Sequence, residues 1–279
     1  MLGWNLAVCT ISDILASGGF PMYFAHSVTV SSSWEKDFMV EFARGIASVL
    51  EKADASFIGG DLGISAQWKY TGICLGSSKK PLTRKGAKPG DRIYITGEVG
   101  AGNLEAAMSL YRSNPNLKDI MNGVTTRFAL RLEESKLIQG FGACCIDTSD
   151  GVLNALNTLT AINGVGYQVY NLPYLEEGIQ ACKMLSQPKT FLFMGECGEY
   201  ELLFTVSKKN EVKLTEQARK KKLHITRIGE IIVENEKILM EDGKELNFND
   251  FDISARSFAQ VSDYLSELVK YITYAQRSR

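Results

Sequence analysis

The segment CCIDTSDGVLNALN, Cys144–Asn157, decides the fold, because an apolar strand runs into a polar turn and then into a helix. Such an order is typical of an α/β module. Asp147 and Asp150 lie close together in this turn, where their like charges repel each other. Ser149 adds a hydroxyl group, and Gly151 allows the backbone to approach a ligand closely. The start of such a helix suits a phosphate group, because its N–H groups have no partner within the helix.

The same turn also has a purely structural interpretation. Asp150 directly precedes the helix and could serve as its N-cap, a role that requires no ligand. Capping by Asp150 does not explain why Asp147 is also present. The segment by itself therefore leaves both interpretations open.

The composition is that of a soluble globular protein, with 279 residues, 45% hydrophobic residues and 23% charged residues. A net charge of -1 gives no general reason to expect nucleic acid or membrane binding. The six cysteines show no C-x-x-C spacing and there are only two histidines, so neither a zinc site nor a disulfide framework is expected. No secretory signal is recognisable. We expect a cytoplasmic protein.

The order of elements predicts two alternating modules with mixed sheets, separated at KKPLTRKGAKPGDR. In the first module, periodicity predicts a helix over Met1–Ser17 and a strand over Tyr23–Val30. Ser32 and Glu35 predict a capping box for the next helix. A short strand then ends in a glycine turn at Gly59–Gly63, and WKYTGICLG forms the next strand.

The second module is predicted to alternate strands and helices in the same way, with a hairpin turn at Asp242-Gly243. Its predicted strands are Arg92–Thr96, Ala143–Ile146, Tyr167–Asn171, Tyr200–Val206 and Ile225–Ile232, and its predicted helices include Leu104–Tyr111 and Val152–Asn163. A final helix over Ala255–Tyr274 has one apolar stripe, which favours core packing or a subunit contact. The stripe consists of Phe258, Val261, Leu265, Leu268 and Ile272.

Three further motifs carry polar groups that suit metal or phosphate chemistry. Asp13 stands in an apolar helix, where a carboxylate is costly unless it is paired, bound to a cation or exposed to solvent. Asp61 follows two glycines in FIGGDLG, which would also be explained by a plain glycine turn. Arg84 belongs to RKGAKPGD, a basic loop that could bind phosphate or simply be solvated.

Taken in order, five segments resemble the AIR synthase superfamily, and within it most closely the thiamine-monophosphate kinase family. The segments are ISDILASGGFP, IGGDLG, TRKGAKPGDRIYITGEVG, IDTSDGVLNAL and GEYELLFTV. The resemblance implies an α+β, AIR synthase-like architecture of two domains with mixed sheets flanked by helices. Residues 1–87 correspond to the N-terminal metal, ATP and dimerisation domain. Residues 88–279 correspond to the C-terminal domain, extended by an extra C-terminal helix.

The resemblance also implies a homodimeric enzyme that uses ATP and Mg²⁺ to convert thiamine monophosphate to thiamine diphosphate. Scattered aspartates suit this chemistry, since magnesium prefers hard oxygen ligands. The implied metal ligands are Asp13, Asp61 and Asp150, and the implied nucleotide-binding residues are Gly60, Asp61, Arg84, Ser149 and Gly151. Asp150 and Arg84 are implied to be catalytic, and Glu199 and Tyr200 are implied to contact the acceptor.

Two departures from the family pattern bear on activity. The family has a G-D-D-A segment and a D-T-x-V-x-G-x-H-F strand before the first shared helix, whereas this chain begins with MLGWNLAV. We therefore expect the 279 residues alone to show little kinase activity, and an added N-terminal segment to restore it. The family pattern G-G-E-D-Y-E is replaced by ECGEYE, with Gly198 at the Glu position and Glu199 at the Asp position.

Three interpretations stay open at this point. The first is a phosphotransferase of the thiamine-monophosphate kinase type, and the second is a related ATP-dependent enzyme that acts on another small molecule. The third is a catalytically impaired paralogue that binds a ligand or a partner.

Overall fold

A computed structural model describes residues 1–110 and 127–277, which fold into two compact units. The first unit contains Met1–Thr83 together with Arg127–Gly140, and the second begins at Arg84 and resumes at Phe141. The change of unit at Arg84 falls inside the segment predicted to separate the modules. The return of Arg127–Gly140 to the first unit was not predicted from the sequence.

The described residues form helices and strands that alternate along both units. The helices are α1 (Leu2–Ala16), α2 (Lys36–Ala53), α3 (Ala101–Leu110), α4 (Leu132–Phe141), α5 (Val152–Asn163), α6 (Glu176–Met184), α7 (Phe191–Met194), α8 (Lys208–Lys221) and α9 (Val261–Arg277). The strands are β1 (Phe20–Ser31), β2 (Ser56–Ser65), β3 (Lys69–Ser77), β4 (Arg92–Thr96), β5 (Gly142–Asp147), β6 (Gly166–Val169), β7 (Leu202–Val206), β8 (Ile225–Ile232), β9 (Lys237–Glu241) and β10 (Lys244–Asn247). Tyr111, the predicted end of one helix, lies outside the described residues.

In the first unit, a three-stranded sheet in the order β2-β1-β3 packs against α1. Helix α1 buries residues at helical spacing, Ala7, Val8, Ile11 and Leu15, which explains why this stretch folds as a helix against the sheet. The opposite face of the sheet is exposed although it carries apolar side chains. Tyr23, Ile73 and Leu75 on that face are 44%, 55% and 55% exposed.

Helix α4 belongs to the first unit because its polar side chains bond the end of α1. The Ser135 hydroxyl group donates to the Leu15 carbonyl oxygen at 2.6 Å, and Gln139 Nε2 donates to the Gly18 carbonyl oxygen at 2.7 Å. Ahead of α4, the Phe128 carbonyl oxygen accepts a hydrogen bond from Trp4 Nε1 at 2.8 Å. A distant segment of the chain thus completes the first unit.

In the second unit, the described strands form one mixed sheet in the order β10-β9-β6-β8-β4-β7-β5. Strands β6 and β9 run parallel, and the other paired neighbours run antiparallel. Residues from the strands and from α5 and α9 share one apolar core. Its fully buried members include Ile93, Ile95, Leu153, Leu156, Tyr167, Phe193, Leu203, Phe248 and Leu268.

Two predictions about the first unit are wrong. Ser32 and Glu35 do not form a capping box, because Glu35 is itself the N-cap of α2 and its side chain makes no capping bond. The predicted glycine turn at Gly59–Gly63 lies inside β2 and pairs in parallel with β1. Asp61 is therefore a strand residue, and it pairs with Ser27 on the exposed face of the sheet.

The final helix begins later than predicted. A short 3₁₀ turn, Ala255–Ser257, precedes α9, and Phe258 lies between the two elements. Val261 is 49% exposed, whereas Leu268 and Ile272 are buried in the core. Phe258 and Leu265 also pack against this core, so core packing by the predicted stripe is confirmed except at Val261. The placement of Phe258 within the helix is wrong.

Three simpler predictions are confirmed, namely the hairpin turn at Asp242-Gly243, the end of α5 and the burial of Cys144 and Cys145. Asp242 and Gly243 both have positive φ angles, 50° and 73°, between the paired strands β9 and β10. Helix α5 ends at Gly164, whose left-handed conformation closes it. All six cysteines are free thiols, and Cys144 and Cys145 are buried. No helix in the described part of the chain is long and apolar enough to cross a membrane.

Candidate active site

The turn between β5 and α5 contains two buried residues followed by one exposed carboxylate. Asp147 and Thr148 are buried, and the Ser149 hydroxyl group donates to Asp147 Oδ1 at 3.3 Å. Asp150 is exposed, and Gly151 has φ of 83° as the N-cap of the helix. The turn therefore separates a structural aspartate, Asp147, from an aspartate that a ligand can reach, Asp150.

The structural interpretation of Asp150 as a helix cap is wrong. The N-cap of α5 is Gly151, which makes no side-chain capping bond. Asp150 Oδ1 instead accepts a hydrogen bond from Arg256 Nη2 at 3.0 Å. Since both side chains are more than half exposed, this ion pair contributes little to stability. The carboxylate is thus available for exchange with another cation.

A loop at residues 195–201 packs directly on this turn, backbone against backbone. A Cβ atom added to Gly198 would lie 2.1 Å from the Ser149 carbonyl oxygen, and one added to Gly151 would lie 2.2 Å from the Gly195 carbonyl oxygen. Only glycine allows these approaches, since real Cβ contacts are longer than 3.0 Å. The turn and the loop therefore form one rigid surface.

Asn103, at the start of α3, holds the same loop by both atoms of its side-chain amide. Its Nδ2 donates to the carbonyl oxygens of Leu192 at 2.9 Å and Gly195 at 3.3 Å, and its Oδ1 accepts from the Cys197 N–H at 3.1 Å. Sequence reasoning missed Asn103. A polar residue just after Gly-Ala-Gly at the start of an apolar helix was the available signal.

Two buried carboxylates lie at the end of this loop. Glu201 accepts a hydrogen bond from the Thr96 hydroxyl group at 2.5 Å. Glu199 Oε1 accepts from the Gly100 N–H at 2.7 Å, whereas its Oε2 has no partner among the described residues. Burial raises the pKa of Glu199 to about 8, with the Gly100 bond opposing the shift and the Glu201 charge adding to it. Tyr200 between them has φ of 57°, which is strained for a bulky residue.

We expect Glu199 to make stability depend on pH. Its pKa is about 8 when folded and 4.5 normally, so the folded protein keeps a proton that the unfolded chain releases between these values. The contribution of Glu199 to stability is therefore most favourable below pH 4.5 and is lost as the pH rises through this window. Glu199→Gln has no titratable group at this position and does not lose stability in this way. The unfolding free energy of the variant minus that of the wild type should therefore increase by on the order of 1 kcal/mol per pH unit between about pH 5 and 8.

Urea unfolding at a series of pH values measures this difference. Glu216→Gln, at an exposed position on α8, is the matched control and should follow the wild type. If the unfolding free energies of wild type and Glu199→Gln changed in parallel with pH, Glu199 would be ionised at neutral pH.

Arg84 does not lie beside Asp150 within the second unit. Its carbonyl oxygen accepts a hydrogen bond from Asn163 Nδ2 at 2.8 Å, and Gly86 N–H donates to Asn163 Oδ1 at 2.8 Å. Asn163 ends α5, whereas Asp150 precedes its first turn. Twelve helical residues span roughly 18 Å. The two residues predicted to be catalytic therefore stand at opposite ends of one helix.

The other predicted residues lie in the first unit. Asp13 is exposed on α1, as its structural interpretation requires, and exposure also allows contact with a ligand. Asp61 is exposed on β2. Gly60 pairs with His26, and an added Cβ atom would lie 2.3 Å from the His26 carbonyl oxygen.

The donor atoms suit magnesium that arrives with a nucleotide. Among the described residues, no three acidic, histidine or cysteine side chains are gathered closely enough to hold a metal. Magnesium keeps several waters and commonly takes one or two protein carboxylates together with substrate phosphates. Asp13, Asp61 and Asp150 are exposed carboxylates of this kind.

The first unit is similar to the N-terminal domain of AIR synthase-related proteins. Residues 1–77 match the family model for AIR synthase related protein, N-terminal domain. The E. coli hydrogenase maturation protein HypE has the same fold, with a TM-score of 0.75 at 14% identity, covering 88% of this chain and 78% of HypE.

Over most of its length the chain is similar to thiamine-monophosphate kinases. It is 28% identical over 268 residues to that of Buchnera aphidicola subsp. Schizaphis graminum, covering 90% of this chain and 80% of the relative. It is 25% identical over 216 residues to that of Archaeoglobus fulgidus, covering 75% and 68%. The crystal structure of the Aquifex aeolicus kinase superposes with a TM-score of 0.73 at 22% identity, covering 88% of this chain and 82% of that one. The AIR synthase-like fold predicted from the sequence is confirmed.

Proposed function

We propose that the protein is an ATP- and magnesium-dependent phosphotransferase that converts thiamine monophosphate to thiamine diphosphate. The observation that carries this proposal is the exposed Asp150 at the start of α5, on a turn packed against the Gly195–Glu201 loop. Similarity to thiamine-monophosphate kinases over most of the chain supports it. A structural neighbour, AaThiL complexed with AMPPCP and TMP, supports it as well.

In this reaction the bond between the β,γ-bridging oxygen and the γ-phosphorus of ATP breaks. A phosphate oxygen of thiamine monophosphate bonds to that phosphorus, and ADP leaves. Little covalent chemistry is required of the protein, so positioning and charge neutralisation dominate. We assign magnesium binding to Asp13, Asp61 and Asp150. Magnesium, when bound, offsets the negative charge of the phosphates.

The start of α5 would bind the nucleotide phosphates through its free N–H groups, with Ser149 and Gly151 beside them. In the first unit, Gly60 and Asp61 are assigned to nucleotide binding. Arg84 lies at the far end of α5 from Asp150. We therefore propose that it contacts a different part of the substrates from the phosphate beside Asp150.

Glu199 and Tyr200 are assigned to the acceptor. A carboxyl group that is neutral at pH 7 can donate a hydrogen bond, and Glu199 Oε2 has no partner among the described residues. The strained backbone at Tyr200 fixes the direction of the loop. A second candidate function, transfer to a different small molecule, is favoured by one observation, the ECGEYE sequence of this loop.

Transfer of labelled phosphate from ATP to thiamine monophosphate, with magnesium present, tests the proposal. We expect labelled thiamine diphosphate, formed slowly by the 279 residues alone, and dependence on magnesium. ADP formation with another acceptor but not with thiamine monophosphate would favour the second function. Absence of nucleotide binding would contradict both.

We also propose that the protein is a homodimer of the reducing cytoplasm. Its free thiols suit a reducing compartment. Tyr23 pairs with Leu75 and Ala25 with Ile73, so these apolar side chains share the exposed face of the first sheet. A monomer rarely leaves so apolar a sheet face in water.

Ile73→Glu is expected to convert the dimer to a monomer, because it places a charge in the centre of the proposed contact. Light scattering at micromolar concentration measures the mass of both forms. Val212→Glu, at a residue that is 64% exposed on α8, is the matched control and should leave the dimer intact. A wild-type monomer would contradict the proposed dimer.

A further inference from the structure

The loop at residues 195–201 carries both residues assigned to the phosphoryl acceptor, yet it has no regular secondary structure of its own. Backbone hydrogen bonds hold its two ends. The Gly195 N–H donates to the Phe191 carbonyl oxygen at 3.0 Å, and the Thr148 N–H donates to the Glu201 carbonyl oxygen at 2.9 Å. A loop that is tied at its ends can still change shape between them. The bonds made to its middle therefore decide where the two residues lie.

Two of the contacts in this middle part reach side chains of the loop. Glu196 Oε2 accepts hydrogen bonds from the Ala255 N–H at 3.0 Å and the Ser254 hydroxyl group at 3.3 Å. Glu199 Oε1 accepts one from the Gly100 N–H at 2.7 Å. Rotation about side-chain bonds can preserve these contacts while the backbone moves. They therefore restrain the loop backbone only loosely.

Asn103 bonds the backbone of the loop directly, with both ends of one planar amide group. Its Oδ1 accepts a hydrogen bond from the Cys197 N–H at 3.1 Å. Its Nδ2 donates to the carbonyl oxygens of Gly195 at 3.3 Å and Leu192 at 2.9 Å. A Cβ atom added to Gly195 would lie 2.1 Å from Asn103 Oδ1, so the glycine is required for this approach. Because the donor and the acceptor belong to one rigid group, Asn103 sets the spacing of the backbone between Gly195 and Cys197.

Helix formation does not explain why an asparagine stands at this position. Asn103 lies in the first turn of α3, and alanine or leucine is the better helix former. The preceding residue, Gly102, also faces the loop. A Cβ atom added to Gly102 would lie 2.4 Å from the Gly198 carbonyl oxygen. The start of α3 is therefore shaped to contact this loop.

We propose that Asn103 is a positioning residue for the phosphoryl acceptor. It fixes the loop against the start of α3, and the loop in turn orients Glu199 and Tyr200 toward the acceptor. Asn103 and Asp150 line the same cavity, so the loop lies beside the carboxylate assigned to magnesium. The turn that carries Asp150 is held by β5 and α5 and keeps its place when the loop moves. This inference rests on the proposed function and adds to it a residue that acts on the acceptor and not on the nucleotide.

Asn103→Leu tests this role, because leucine has a similar volume and favours the helix but makes none of the three hydrogen bonds. Titration calorimetry with thiamine monophosphate, and separately with magnesium and a non-hydrolysable ATP analogue, measures both affinities. We expect the Kd of thiamine monophosphate to rise about 3- to 10-fold, a change comparable to the loss of one hydrogen bond. The Kd of the nucleotide should stay unchanged.

Alkylation of Cys197 gives a second measurement that does not depend on any ligand. Cys197 is half-buried, and burial raises the pKa of its thiol, so it should react slowly with iodoacetamide while the loop is fixed. Asn103→Leu should increase this rate by about 3- to 10-fold, because labelling follows the opening of the loop. Cys74, half-buried in the first unit, should keep its wild-type rate and serves as the internal reference. Mass spectrometry of the labelled peptides separates the two thiols.

Asn249→Leu is the matched control. The side-chain oxygen of Asn249 also accepts a hydrogen bond from a backbone N–H, that of Lys237 at 2.8 Å, but Asn249 lies outside the loop and the cavity lining. It should change neither affinity nor the labelling of Cys197. Asn103→Asp keeps the oxygen that accepts from Cys197 but cannot donate, and it replaces Asn103→Leu should that variant unfold.

The outcomes separate this proposal from the proposed function. An unchanged affinity for thiamine monophosphate in the Asn103 variants would overturn the positioning role and leave the proposed function intact. So would unchanged labelling of Cys197. An equal loss of both affinities would assign Asn103 a purely structural role. A wild-type protein that binds the nucleotide but no thiamine monophosphate would overturn the proposed function, and the acceptor role of Asn103 with it.

Discussion

Replacing Asp150 with asparagine is expected to lower phosphoryl transfer by about 10²- to 10³-fold, the cost typical of losing one electrostatic partner of a reacting group. The change is nearly isosteric and removes only the charge. Because Gly151 and not Asp150 caps α5, and because the ion pair of Asp150 is exposed, the melting temperature should change little. Transfer of labelled phosphate and a thermal melt of the same samples measure both effects.

Arg256→Gln separates the two roles of Asp150. This variant breaks the same ion pair but leaves the carboxylate in place. If the carboxylate acts on magnesium, Arg256→Gln should retain most of the activity that Asp150→Asn loses. Equal losses in the two variants would instead assign the effect to the ion pair.

Gly198→Ala should destabilise the protein, by about 1–3 kcal/mol as for other overpacked sites. The new methyl group would lie 2.1 Å from the Ser149 carbonyl oxygen and 2.7 Å from that of Thr148. Both neighbours are backbone atoms, so the loop must move away from the turn. Urea unfolding gives the change in stability, and phosphoryl transfer should fall with it because Glu199 moves as well.

Gly140→Ala is the matched control for this substitution. An added Cβ atom there meets nothing within 4 Å, and Gly140 lies in α4, where alanine is the better helix former. Gly140→Ala should therefore be neutral or slightly stabilising. A Gly198→Ala variant as stable as Gly140→Ala would show that the loop and the turn do not need their close contact.

The parts of the fold that the sequence predicted depend on local signals. Hydrophobic spacing in α1, the strand–turn–helix at Cys144–Asn157 and the Asp242-Gly243 hairpin each follow from residues near in sequence. The prediction of a capping box was wrong because it used only the spacing between Ser32 and Glu35, whereas the turn before α2 ends at Glu35. The prediction of a turn at Gly59–Gly63 was wrong because pairing with β1 overrides the preference of glycine for turns.

The remaining features of the site depend on contacts between distant residues. Asn103 reaches Leu192 and Cys197, nearly a hundred positions away. The burial of Glu199 follows from how its loop packs, and an acidic residue after Cys-Gly gives no hint of it. The separation of Arg84 from Asp150 needs the length and direction of α5, which the order of the motifs does not contain.

The split first unit has a consequence for the order of folding during synthesis. Residues up to Thr83 leave the ribosome first, yet Ser135 and Gln139 hold the end of α1 and come much later in the chain. At a synthesis rate of about 5–20 residues per second, these partners emerge several seconds after the rest of the first unit. We therefore infer that the N-terminal unit cannot finish folding before part of the second unit has been made. The usual order, in which the N-terminal domain folds before the next domain is synthesised, does not apply to this chain.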